Sequence, residues 1–327
     1  MHIPTELQEA IESLAASHHF KSLAQSREMV SKDYRRGNDS ARAFQNRSQL
    51  ISYLITRLPA TFAVCRKVFS EIKNRLPGFV FESILDLGAG PGSASWAAIE
   101  SFDELKSLYL IEREKDVIDL GKQLATSSFR CFKEIFWDHS SLTSPFAIPS
   151  ASLAVFSYVL GEMEIEEAWQ IVKRVWDSSI PLLTLIEPGT VRGYQRILAI
   201  RNRLIAQGAR IIAPCPHLLP CPLKENDWCH FAARVERTSL HRRLKKGTLG
   251  YEDEKYSYVV FAKPEIQTSA IDGRIIRRPL KAGGYVKFQL CAQDGQIRET
   301  TVTRSDKNNY RHARDAEWGS SLHLDII

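Results

Sequence analysis

Apolar residues recur three and four apart from Thr5 to Leu76, at Leu7, Ile11 and Leu14 and again at Leu50, Tyr53, Leu54 and Leu58, which predicts helices. The stretch Ser31-Lys-Asp-Tyr-Arg-Arg-Gly37 is expected to break that run and add an exposed basic element, and Pro59 and Pro77 punctuate helix ends. After Pro77 the pattern changes to short apolar runs alternating with helical stretches, the signature of βαβ units on a parallel sheet. It predicts strands near 83–87, 107–111, 130–136, 152–157 and 182–186, with helices at 93–101, 114–125 and 164–177. An amphipathic helix over 192–207 and a buried strand over 256–262, ahead of Pro264, follow. The last sixty or so residues alternate differently: short runs at 274–278, 285–290 and 297–303, separated by Gly-Gly and Asp-Gly turns, predict a small antiparallel β module. The expected organisation is a helical region over 1–78, an α/β domain over 79–264, and the β module over 265–327.

Composition narrows the class. The 327 residues are 44% hydrophobic and 25% charged, the balance of a globular protein. No stretch approaches the roughly 18 to 20 apolar residues of a bilayer span, so no membrane partner is expected. The first ten residues carry two glutamates and no apolar or Arg-rich leader pattern, from which a cytoplasmic protein is expected. The net charge of +6 is unevenly placed: between Arg192 and Thr248 twelve Lys or Arg face only Glu225, Asp227 and Glu236. A local excess of that size reads as a contact for a polyanion, or as a solvated charged face.

Ser83-Ile-Leu-Asp-Leu-Gly-Ala-Gly-Pro-Gly92 is an apolar strand running into a glycine-rich turn and a helix start. Gly88, Gly90 and Gly92, with Ala89 between them, allow a tight turn and close backbone approach to a ligand. Asp86 at the strand end can orient the loop or a ligand amine, and Glu112, 26 residues later at the end of Leu108-Tyr-Leu-Ile-Glu112, can grip ribose hydroxyls. Such loops also serve dinucleotide enzymes and plain structural turns. This combination resembles motif I of the class I S-adenosylmethionine (SAM) methyltransferases, in which Glu112 falls at the acidic ribose position and Asp138 at the adenine-contacting acid. The methyl-transfer chemistry is not specified. After the fourth strand stands Phe156-Ser-Tyr-Val-Leu-Gly-Glu162, with neither an Asn-Pro-Pro-Tyr-like tetrapeptide nor a Pro-Cys pair. Tyr158 and Glu162 are candidates to line the catalytic side; equally, Tyr158 packs and Glu162 caps the next helix.

Of six cysteines, Cys65 and Cys131 sit in apolar contexts and read as core thiols. Cys215, Cys221 and Cys229 fall within fifteen residues in a Cys-x5-Cys-x7-Cys pattern stiffened by prolines, and Cys291 stands apart in the β module. Clustering of this kind in a reducing compartment points to metal ligation. The missing Cys-x2-4-Cys knuckle tilts the reading toward an iron–sulfur cluster, with zinc as the alternative. His217 and His230 read as neighbours that hydrogen-bond the ligands, or as ligands themselves.

The chain resembles the methyltransferase-like small-ribosomal-subunit assembly proteins of mitochondria and bacteria. The matching segments run from Ser31-Lys-Asp-Tyr-Arg-Arg36 and Arg57-Leu-Pro-Ala-Thr-Phe62 through Asp86–Gly92, Ser157–Glu162, Leu185-Ile-Glu-Pro-Gly-Thr190 and the cysteine block to Tyr251–Ser257 and Arg274-Ile-Ile-Arg277. The resemblance implies a class I SAM-methyltransferase (Rossmann-like) α/β fold and a 4Fe-4S cluster on Cys215, Cys221, Cys229 and Cys291. It also implies action on the rRNA of the small ribosomal subunit, by methylation or by binding alone, from a protein monomeric when free. Arg35, Arg36, Arg242, Arg243, Lys245 and Lys246 would then contact phosphates, and Trp228, Phe231 and Tyr251 would stack on bases or serve the core. A small-molecule methyltransferase with a zinc site is the remaining alternative.

Overall fold

A computed structural model of the chain describes residues 1–36, 46–126, 134–224 and 226–322, with side chains left aside at 30–36 and 126. The chain forms two compact units, Met1–Ser70 with Val80–Ile180 and Ala233–Glu254, and Glu71–Phe79 with Pro181–Ala232 and Lys255–Ile327.

In the first unit, helices α1 (Thr5–Ala16), α2 (Phe20–Arg36), α3 (Arg47–Thr56) and the larger part of α4 (Leu58–Arg75) precede the sheet. Asn46 caps α3 through a capping box with Gln49, and Leu58, Ala63, Val64 and Phe69 of α4 are fully buried. Helix α2 runs unbroken through Ser31 to Arg36, so the expected break does not occur there; charged residues lower helical propensity little and do not stop a helix.

The sheet of this unit has β1 (Ser83–Leu87), β2 (Ser107–Glu112), β3 (Glu134–His139) and β4 (Leu153–Ser157) in the order β3-β2-β1-β4, all parallel. Leu85 lies opposite both Tyr109 and Ala154. Ile84, Leu85 and Leu87 are all inaccessible to solvent, as expected for a central parallel strand covered on both faces. Helices α5 (Ser93–Ile99), α6 (Lys115–Thr126) and α7 (Ile165–Trp176) follow β1, β2 and β4. Short α9 (Ser239–Leu244), which the periodicity did not announce, belongs to this unit too.

In the second unit β5 (Leu182–Pro188), α8 (Val191–Ala206) and β6 (Arg210–Ala213) are followed by the cysteine loop, β7 (Phe231–Glu236) and β8 (Tyr251–Ala262), the last two extending into the first unit. Strand β8 lies antiparallel between β5 and β6, with Val259 opposite Leu185 and Phe261 opposite Ile211. The parallel order β3-β2-β1-β4 in one unit, and β5-β8-β6 with β8 reversed in the other, are the strand orders of the class I SAM-methyltransferase-like fold.

The C-terminal part of this unit is a five-stranded antiparallel sheet of β9 (Gly273–Ile275), β10 (Leu280–Ala282), β11 (Tyr285–Ala292), β12 (Ile297–Thr303) and β13 (Ser321–Leu322). Its core of Ile275, Val286, Phe288, Leu290 and Val302 is closed by Ala313 from helix α10 (Lys307–Asp315). That helix escaped the pattern because Tyr310 and Ala313 are its only apolar residues; Asp306 caps it by accepting from the Asn309 amide at 3.3 Å.

Candidate functional site

At the carboxyl ends of the parallel strands, where open α/β sheets bind ligands, the first unit has a cavity of about 260 Å3. Gly88, Ala89 and Gly90 of the glycine loop line it, and Gly92 does not. Gly88, Gly90 and Gly92 have φ of 69°, 56° and 89°, the left-handed region that only glycine enters without strain. A side chain at Gly88 would put its Cβ 2.4 Å from Val159, whereas a Cβ at Gly90 would meet nothing within 4 Å. Glu112 ties this loop to β2: one carboxylate oxygen accepts from the Gly90 amide at 2.9 Å, the other from the amides of Arg113 and Glu114 at 2.8 and 2.9 Å. Burial pushes Glu112 above the usual carboxylate range and these amides oppose it. The oxygen facing Gly90, with a single donor, keeps a lone pair for a further donor such as a hydroxyl.

Asp86 is 1% exposed; its Oδ2 accepts from the Ser95 hydroxyl and amide at 2.8 and 3.2 Å. Its Oδ1 is buried with no hydrogen-bond partner among the described residues, and burial pushes the carboxyl up to about 7. An orphaned buried acceptor facing a cavity is a group that a ligand's donor would satisfy. Ala89 lines the cavity as expected. Asp138 does not line it; it accepts from the Ser140 hydroxyl at 2.6 Å, and Ser140 with Ser141, Leu142 and Thr143 forms that wall.

Tyr158 and Glu162 both reach the cavity. Tyr158 holds φ at 60°, unusual for a residue with a side chain, with the Arg57 guanidinium 5.8 Å from its ring centroid. Arg57 in turn grips Glu254 with two hydrogen bonds of 3.1 and 3.0 Å. Glu162 pairs with Arg113 at 3.4 Å. Tyr53 and Thr61 of α3 and α4 also line the cavity. Sequence reasoning missed them because nothing local marks a helix residue as facing a distant loop, although Thr61 sits inside the Arg57–Phe62 segment already singled out.

The second unit gathers Cys215, Cys221, Cys229 and Cys291 around one cavity, joining a loop and a β strand more than sixty residues apart in sequence. None is in a disulfide. Burial pushes the thiols of Cys215, Cys229 and Cys291 up, Cys291 to about 12, and neighbouring cysteines of the same set add to it. Tyr194 donates its hydroxyl to the Cys221 sulfur at 3.3 Å, and His217 Nε2 lies 3.3 Å from that of Cys291. His230 instead stacks on Trp228, whose indole N–H donates to the Gly189 carbonyl at 3.0 Å. The donor set suits a thiophilic metal group. Among the described residues no three of His, Cys, Asp or Glu converge on one ion position as the side chains stand. Cys65 is a buried core thiol, 3.6 Å from the Ser157 hydroxyl, and Cys131 lies outside the described residues.

The basic segment divides between surface and interior. Arg196 and Arg201 are 8% and 3% exposed. Lys245, with Arg237 and His241, surrounds Glu252; against burial, which raises it, the three hold that carboxyl well below its usual range. Arg242, Arg243 and Lys246 are exposed, with Arg243 over the Phe20 ring at 4.6 Å and Lys246 paired to Glu28 at 3.0 Å. The side chains of Arg35 and Arg36 lie outside the described residues. Phe231 is a core residue, 2% exposed against Tyr256 and Tyr258, and the Tyr251 ring carries the Arg234 guanidinium at 4.0 Å.

Among the described residues, no helix is long and apolar enough to cross a membrane. The family description "Mitochondrial small ribosomal subunit Rsm22" matches residues 47–323. The chain is 27% identical over 288 residues to the human mitochondrial ribosome assembly protein METTL17, covering 83% of this chain and 61% of that one. It is 24% identical over 339 residues to the Rsm22-cox11 tandem protein 2 of Schizosaccharomyces pombe, also mitochondrial, covering 85% of this chain and 43% of that one. It thus spans about half the length of these relatives. Among solved structures, the SAM-bound magnesium protoporphyrin IX methyltransferase of Synechocystis is similar at 13% identity and a TM-score of 0.40, covering 62% of this chain and 80% of that one. The expectation of a cytoplasmic protein is overturned here, since the family description and both relatives are mitochondrial. That expectation rested on ten residues at one end of the sequence, and neither composition nor fold carries an address. With nearly all of its length from α3 to the end of the β module under one family description, the chain belongs to the Rsm22 family.

Proposed function

We propose that this protein is a SAM-binding, metal-centred assembly factor of the small ribosomal subunit, in the mitochondrial setting its family description names. The observation that carries the SAM reading is the Gly90–Glu112 clasp lining a cavity that Asp86, with its orphaned oxygen, also lines. In that reading Glu112 accepts the ribose hydroxyls, Asp86 takes a donor from the amino-acid end, and the Ser140–Thr143 wall covers the adenine. SAM supplies a methyl group activated by its sulfonium; the chain's work is to hold cofactor and acceptor in line and exclude water. Tyr158, fixed by its backbone and flanked by Arg57, then stands where an acceptor base would lie.

The group held by Cys215, Cys221, Cys229 and Cys291 is a 4Fe-4S cluster in this reading, favoured over zinc by the cysteine spacing. Its role is to fix the cysteine loop on the β module. A second reading, in which SAM and the metal group are purely structural ligands of an rRNA-binding shape, is favoured by one observation. Glu162, at the place where amino-methylating enzymes present their tetrapeptide, is ion-paired to Arg113.

Calorimetric titration with SAM tests the first step: micromolar binding is expected, falling about tenfold or more in Glu112→Gln, and no binding by the intact protein would overturn it. Methyl transfer onto small-subunit rRNA separates the two readings. For the RNA surface, charge reversal at Arg242 and Lys246 should lower the salt dependence of rRNA binding by about one unit of log–log slope per lost phosphate contact, with SAM binding unchanged. A salt-independent affinity would remove the rRNA role.

A further inference from the structure

Helix α8 presents Tyr194, Ile197, Leu198 and Arg201 to the cysteine cavity, the spacing of one helical face. Arg201 differs from the other guanidinium lining it. Arg274 is 1% exposed and completely engaged: it donates to the carbonyls of Pro214 and Gly319 at 2.9 and 2.8 Å and pairs with the Glu71 carboxylate at 2.5 Å. Arg201, 3% exposed, donates to the carbonyls of Leu219 and His217 at 2.8 and 3.2 Å and to the Asn202 side chain at 3.0 Å. It has no carboxylate partner, and its Nε is buried without an acceptor, among the described residues. A cation taken out of water costs several kcal/mol unless an anion faces it. No carboxylate lines this cavity among the described residues.

We propose that Arg201 is the counter-charge of a thiolate-bound metal group in the Cys215, Cys221, Cys229 and Cys291 cavity, so that each is stable only in the presence of the other. The charges balance. When a divalent metal ion or an oxidised four-iron core, each carrying about two positive charges, binds, four S–H bonds release four protons and the group is left with about two negative charges. One of these Arg201 offsets, through the side of the cavity that also carries the two loop carbonyls it holds. The inference rests on the metal-centre reading above. It goes further in assigning a buried arginine that carries no sequence signature of metal binding a positioning and charge-balancing role.

The test compares wild type, Arg201→Gln and Arg201→Lys, each as the full chain, purified without oxygen and then divided into metal-loaded and chelator-stripped samples. Two quantities are read: the rate at which a chelator removes the metal, and the thermal unfolding midpoint of both samples. Arg201→Gln is expected to release metal at least about tenfold faster than wild type, the usual scale for losing a group that supports metal ligands. Its midpoint should fall in the loaded sample and not in the stripped one, where the substitution removes an uncompensated buried cation. Arg201→Lys, which keeps the charge but not the forked geometry, should hold metal within about twofold of wild type. An equal fall in both samples would show Arg201 to be a loop brace and overturn the proposal, as would Arg201→Lys losing metal as fast as Arg201→Gln. Should Arg201→Gln fail to fold, the Lys variant's release rate decides alone. Wild type without bound iron or zinc would sink the metal-centre reading itself, and this inference with it.

Discussion

The glycine-loop cavity and the cysteine cavity are built by opposite means. In the first the backbone does the work: Gly88 and Gly90, in left-handed conformations, line the cavity, and one carboxylate, Glu112, accepts from the Gly90 amide. In the second the side chains do: four thiols, two buried arginines, the Tyr194 hydroxyl and the His217 imidazole are drawn from α8, a proline-rich loop and the β module. A backbone site is formed by neighbours in sequence and stands ready when its strand and helix fold. On the proposal above, a side-chain site of buried thiols and a buried cation without a carboxylate would depend on its ligand for its own stability. The contrast teaches that a pocket built from neighbouring backbone and one assembled from distant side chains should respond differently to mutation.

The largest effect should come from Arg274, whose loss leaves Glu71 facing Arg75 alone and strips the carbonyls of Pro214 and Gly319 of their donor. Arg274→Met is expected to cost about 3–5 kcal/mol, read from denaturant midpoints, and to release the metal group while leaving SAM affinity unchanged. Loss of SAM binding in that variant would break the contrast between the sites. Gly88→Ala acts the other way. Its Cβ, 2.4 Å from Val159, forces the loop to move at a cost of about 1–3 kcal/mol, and SAM affinity should fall while metal content stays at the wild-type value.

A third effect is a pH dependence. Because burial raises Asp86 from 3.8 to about 7, the folded protein binds its proton more tightly than the unfolded chain. The stability this contributes is present below about pH 4 and is lost as pH rises toward 7. Asp86→Asn, which mimics the neutral form, should therefore raise the unfolding midpoint at pH 8 and change it little at pH 4. Equal shifts at both values would show that Asp86 is not held near neutrality by burial.

Much of the first site was legible because its signals are local. Strands β1, β2, β4 and β5 lie within one or two residues of the apolar runs that announced them, and Gly88, Ala89, Gly90 and Glu112 line the cavity, whereas Gly92 does not. Asp138 shows the limit of such matching, since it supports the cavity wall through Ser140 rather than lining it. In the second unit the sequence offered the cysteines but could not tell surface arginines from buried ones. Arg196 and Arg201 were counted in a charged patch, yet they sit on the inner face of α8; only the spacing of Arg201 from Tyr194, Ile197 and Leu198 hinted at this. Helix α10 was invisible because two apolar residues suffice when a sheet already supplies the rest of the core.

The central claim, that the four cysteines hold a metal group on which their unit depends, is tested most directly by purifying the full chain without oxygen. Its absorption spectrum and its iron, sulfide and zinc contents are then measured beside those of Cys221→Ser. The account predicts a broad visible absorption with about four irons per chain, lost in the variant together with part of its thermal stability. Wild type and variant alike free of iron and zinc, with equal unfolding midpoints, would contradict it.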